Sequence, residues 1–259
     1  MFEWVHPDVE LVRDVSVSDW IMSTLEPWSA PAVRLNSFMP AGFQAHARVF
    51  HPFEEWDGVS GTWHRWSDVG AERGIVIGPE TTADEVAGVS WPEGAGDLPE
   101  EGRLPDPACR SLVGILARET RTPQTCWFAL WSGWGILLSG SPLNAYPGPT
   151  RKELRSQRVA QRREEKVLDA IPKIRERQRN TGRSYLLFRG PIDAACSFEP
   201  MKGQFVSPSL WWPDDRAWAV VTDIDGYSTY VGGNRRTVDA IVGSQELEAI
   251  GVNREMRIG

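Results

Sequence analysis

Apolar and polar positions alternate loosely along Gly42-Phe43-Gln44-Ala45-His46-Ala47-Arg48-Val49-Phe50. Glycine and proline bound the run, whose period of two is that of a half-buried strand. Thr125 to Trp131, Ser184 to Phe188 and Arg216 to Thr222 are instead nearly continuous apolar runs. Such runs suit strands buried on both faces. Ser228 to Val231 follows Asp225-Gly226 closely enough to form a hairpin with 216–222. A period near 3.6 marks three helices. The first covers 18–26, with Ser16 or Ser18 as N-cap and Pro27 as terminator. The second, 106–119, opens on Asp106-Pro107 and carries Leu112, Ile115 and Leu116 on one stripe. The third, 235–248, carries Val238, Ile241, Val242 and Leu247. Strands joined by irregular connections do not make repeated βαβ units. The expected fold is therefore α+β: one largely antiparallel sheet with packed helices, in a single domain over 1–259.

Two stretches depart from this pattern. Residues 51–103 read as an irregular acidic loop region, with short helical turns only near 66–70 and 82–86, and 90–102 is rich in Pro, Gly and acids. Residues 151–183 hold 12 Lys and Arg against 5 Asp and Glu, a net of +7 that leaves −14 on the rest of the chain. Strong helix formers over 151–170 make this a basic helical insertion, ended near Pro172.

Charge and composition narrow the chemistry. The chain has 259 residues, 41% of them hydrophobic, and a net charge of −7, so it can bury a real core. A charge run on an acidic chain without a nucleic-acid motif reads as a solvated face, and no nucleic-acid partner is expected. Cys109, Cys126 and Cys196 are odd in number and widely spaced, which predicts unpaired thiols in a cytoplasmic protein. The N-terminus lacks signal-peptide order and no apolar run reaches a membrane span, so no membrane association is expected. His46, His51 and His64 have no compact ligand spacing, which argues against a zinc site. Asp223-Ile224-Asp225-Gly226 lacks the later oxygen ligands of a calcium loop and reads as a turn. No Gly-x-Ser-x-Gly elbow supports a serine nucleophile. Neither metal nor cofactor is expected.

The 13 tryptophans are the unusual feature. Those in or beside strands serve the core or a recognition surface, and both readings stand at this point. In Trp131-Ser132-Gly133-Trp134 and Trp211-Trp212-Pro213-Asp214-Asp215-Arg216, rings adjoin turn residues and charge. If the strand ends gather, Trp131, Trp134, Arg189, Trp211, Trp212, Asp214, Asp215, Arg216, Asp223 and Asp225 form one binding surface, with Arg189 paired to Asp214 or Asp223.

Four blocks also resemble, in the same order, a family of hypothetical proteins common in actinobacteria: Gly42 to Pro52 (GFQAHARVFHP), Cys126 to Gly135 (CWFALWSGWG), Tyr185 to Ala195 (YLLFRGPIDAA) and Ser207 to Gly233 (SPSLWWPDDRAWAVVTDIDGYSTYVGG). The resemblance implies a cytoplasmic bacterial protein and carries no established activity. Three functions fit the residues. The first is a non-catalytic interaction protein of immunity or accessory type with a protein partner. The second is a small-molecule or carbohydrate binder using the tryptophans. The third is a hydrolase whose Asp214, Asp215, Asp223 and Asp225 converge in space.

Overall fold

The structure, a computed structural model, describes residues 5–28, 33–56, 61–88, 98–134, 162, 166–175, 183–200 and 204–258. It is α+β, built on one nine-stranded sheet in which every pairing is antiparallel. In chain order the strands are β1 (Glu10–Val12), β2 (Ala45–Phe50), β5 (Cys126–Trp131), β6 (Ile174–Arg175), β7 (Ser184–Gly190), β8 (Leu210–Pro213), β9 (Ala219–Thr222), β10 (Ser228–Gly233) and β11 (Ala249–Val252). Their spatial order is β1, β7, β5, β8, β9, β10, β2, β11, and β6 shares the outer side of β7 with β1. A separate hairpin, β3 (Phe53–Trp56) with β4 (Gly61–His64), lies inside the stretch expected to be irregular.

The central strands have no solvated face. Along β5, Cys126, Phe128 and Leu130 join one core cluster, while Ala129 joins the other with Trp127 and Trp131 packed against it. Leu186 and Phe188 of β7 alternate with Tyr185 and Leu187 in the same way. This period of two, with both faces apolar, explains the continuous apolar runs. The first cluster is covered by α4 (Asp106–Leu116) and α5 (Arg235–Val242). Cys109, Leu112, Val113 and Leu116 form the inward stripe of α4, and Val238 and Ile241 that of α5. The second cluster is covered by α1 (Asp19–Met22), Leu35, Phe38, Met39 and Met256. A third, smaller cluster packs Phe50 and Phe53 against Trp66 of α2 (Trp66–Glu72) and Val86 of α3 (Ala83–Ala87). Thr82 and Glu85 form a capping box on α3, and Gly88 ends it at φ 65°.

Several expectations change. The stretch 216–222 pairs only from Ala219, and Trp211-Trp212, expected in or beside a strand and next to turn residues, lie inside a strand of their own. The third helix stops at Val242 and is followed by β11. The first is split between a 3-10 turn over Val15–Ser18 and α1. The basic insertion lies mostly outside the described residues. Its described parts are a helical turn at 166–169, the buried Leu168 and Ile171, β6, and Arg183. Among the described residues no helix is long and apolar enough to cross a membrane.

Candidate functional site

The residues expected to share one surface are distributed over both ends and the interior of the sheet. Trp211 and Trp212 are 1% exposed each. As neighbours in β8 they take opposite faces, Trp211 against Phe128 and Trp218, Trp212 against Trp20. They are scaffold, because β8 lies between β5 and β9 and both of its faces are covered. Register separates the rest. Cys126 pairs with Gly190 and Pro213, whereas Trp131 pairs with Tyr185 and Leu210 pairs with Val221. Arg189, Asp214, Asp215 and Arg216 therefore lie at one sheet end, and Trp131, Trp134, Asp223 and Asp225 at the other. The four aspartates do not converge.

At the second end the arginine that binds the aspartates is Arg183, not Arg189. Its guanidinium donates to Asp223 at 2.5 Å and to Asp225, with the arginine side chain only 9% exposed. Burial and the negative charges of Asp225 and Asp223 raise the Glu101 carboxyl above its ordinary range. Trp131 and Trp134 meet edge to face at 5.5 Å.

At the first end, Arg189 pairs with Glu10 at 3.0 Å and lies over Trp127. Asp214 accepts from the Trp127 indole at 3.2 Å. Asp215 accepts from Thr120, from the Arg121 amide and from the Ala217 amide. Burial pushes its carboxyl up, but these donors outweigh it and hold the group below the usual carboxylate range. It is committed to the turn. Arg216 differs: its amide closes that turn on Pro213, and its φ of 55° is the only positive value at a non-glycine among the described residues. This left-handed backbone carries its guanidinium 5.1 Å from the Trp20 ring, beside a depression of about 290 Å³ lined also by Phe43, Gln44 and Asn234.

Gln44 is shared with a larger open groove of about 980 Å³. One wall is α5, through Arg235, Val238, Asp239 and Val242; the other is Gly78 to Thr81 with Glu255 and Met256. The second wall is anchored by the buried Arg48, which donates to the carbonyls of Pro79 and Thr81 at 2.8 Å. Gly251 and Val252 of β11 line the space between the walls.

Among the described residues the outer side of β11 carries no paired strand. The Phe50 amide donates to the Glu248 carbonyl, which makes 248 and 50 a hydrogen-bonded pair. By alternation Ile250 with Arg48 and Val252 with His46 are bonded pairs too. Ala249 and Gly251 accordingly direct their N–H and C=O groups away from β2. Among the described residues no strand pairs with that side. At the groove, His46 is 8% exposed and its Nε2 has no hydrogen-bond partner among the described residues. Burial, reinforced by Arg254, lowers its pKa to about 4, so the ring is neutral at pH 7. Just past the end of β2, His51 is sealed: its Nδ1 donates to the Glu100 carbonyl and its Nε2 accepts from Thr229.

Sequence reasoning missed Arg183, β11 and the groove. Arg183 was one of twelve basic residues in a charge run. The available signal for β11 was Ala249 to Val252 after the break Gly243-Ser244, short and glycine-containing. Comparison of the chain with family models, curated proteins and solved structures gives no match.

Proposed function

We propose that the chain is a non-catalytic interaction protein, of accessory or immunity type, that receives an extended segment of a partner protein on the open edge of β11. The observation that carries this reading is that, among the described residues, no strand pairs with the outer side of β11 in the groove between α5 and residues 78–81. An added strand would bond the free groups of Ala249 and Gly251, and backbone pairing of that kind supplies affinity with little demand on side chains. The groove favours a basic segment, because among the described residues its lining holds Glu80, Asp239 and Glu255 with one cationic side chain, Arg235, and the chain carries −7 overall.

The test is selection of short random peptides on the immobilised full chain, followed by hydrogen exchange on the complex. Enriched peptides should be rich in Lys and Arg and should protect the amides of Ala249 and Gly251. Gly251→Pro removes an outward donor at an edge position, where proline is tolerated, and a Cβ at Gly251 meets open space. That variant should keep its melting transition and lose the peptides. Binding that survives Gly251→Pro, or peptides without basic enrichment, overturns the reading. The depression beside Arg216 supports a second reading, a small planar anion held by the guanidinium and the Trp20 and Phe43 rings. Its mark would be quenching of tryptophan fluorescence that persists in Gly251→Pro and is lost in Arg216→Ala.

A further inference from the structure

Cys109 and Cys196 are 87 positions apart, with no spacing that relates them, yet their sulfur atoms lie 3.3 Å apart. Cys109 faces inward from the first turn of α4. Cys196 ends the 3-10 turn Ile192–Cys196 that follows β7. Both are free thiols, Cys109 fully buried and Cys196 8% exposed. The Cys109 thiol also points at the Ala195 carbonyl, 3.7 Å away. Cys126, the third thiol, instead faces the Thr122 and Pro123 carbonyls.

From this contact we infer that Cys109 and Cys196 are an oxidative modification site, a buried dithiol that forms an intramolecular disulfide with a small peroxide as oxidant. A disulfide needs about 2.05 Å between sulfurs, so a modest adjustment of the Cys109 and Cys196 side chains toward each other closes it. The more exposed Cys196 reacts first. Its sulfur loses two electrons to hydrogen peroxide, becomes a sulfenic acid and releases one water. The Cys109 sulfur then attacks that sulfur, the S–O bond breaks, and the hydroxyl leaves with the Cys109 proton as a second water. The sum is two thiols and one peroxide giving one disulfide and two waters. Reaction is slow in the folded state, because the Cys196 contact and burial hold the Cys109 thiol protonated.

The experiment treats the reduced full chain with hydrogen peroxide, quenches, unfolds, and alkylates with iodoacetamide before intact-mass and peptide analysis. Oxidised chains should lose two hydrogens and take one alkyl group, at Cys126, with a cross-linked peptide joining Cys109 to Cys196. Cys196→Ser should abolish the cross-link. Cys109→Ser should instead leave Cys196 as a sulfenic acid trapped by dimedone. Three alkylated cysteines after treatment, a cross-link through Cys126, or oxygen addition at Cys196 without a cross-link in the unsubstituted chain overturns the inference.

Discussion

Trp212→Ala separates scaffold from surface more sharply than any other change. The ring is sealed between β5 and β9 on the face covered by α1, and meets Trp20 at 6.3 Å and 78°. Removing a buried tryptophan returns about 150–250 Å² of apolar contact to a cavity or to water. At about 25 cal/mol per Å² that is roughly 4–6 kcal/mol. Large aromatic-to-alanine changes in cores cost about 3–5 kcal/mol, and the two routes agree near 4 kcal/mol. Against a typical total stability of about 5–15 kcal/mol, this is a large fraction. The melting midpoint should fall by about 8–16 °C for a chain of this size, read by calorimetry and by near-ultraviolet circular dichroism. Trp212→Phe, which keeps a ring against Trp20, should recover about half of the loss. Arg189→Ala, at an exposed pair with Glu10, should cost under about 1 kcal/mol. A Trp212→Ala protein melting within about 1 kcal/mol of its parent would refute the assignment of Trp212 to the core.

Three further outcomes follow from the same geometry. His46 and His51 are held neutral, both with pKa near 4 against an ordinary 6.5. The unfolded chain therefore takes up protons first: their contribution is complete above about pH 6.5 and falls by on the order of 3 kcal/mol per histidine toward pH 4. Urea unfolding across that range should show a shallower acid slope in a variant with both changed to glutamine. Arg216→Gly relieves a left-handed backbone worth about 1–2 kcal/mol and forfeits a cation–π contact worth about 0.5–1 kcal/mol. Thermal melts should rank it at or above the parent, with Arg216→Ala below both. Arg183→Met takes the guanidinium away from the nearly buried Asp223 and should destabilise by about 2–4 kcal/mol, as measured by denaturant midpoint.

Long, strongly patterned elements were legible in the sequence: β2, β5, β7, β10 and α4 fall where periodicity puts them. Strands β1, β6 and β11 were not, because two to four residues carry too little periodicity to distinguish them from loop. β8 was not drawn as a strand of its own for a different reason. Pro213 and the acids after it are turn chemistry, but Trp211 and Trp212 before them are ladder residues, and a tryptophan's placement depends on which strands flank it. The candidate surface failed on direction. Strand ends gather only where neighbouring chains reach the same edge, and antiparallel pairing sends the ends of β8 and β9 to opposite sides. The left-handed residue at Arg216 and the contact between Cys109 and Cys196 are tertiary facts with no local signal.

The two lateral margins of the sheet are unequal, and this bounds how copies of the chain can associate. One margin is divided between β1 and β6, three and two residues long; the other is the four-residue β11. Short, interrupted margins are poor templates for pairing. A filament grown by strand pairing needs two receptive margins on every copy, whereas a two-fold pair needs one that is complementary to itself. β11 is the longer of these two margins, and a two-fold pair formed there would occupy the same edge that a strand-like guest needs, so self-pairing on β11 and guest binding would exclude each other.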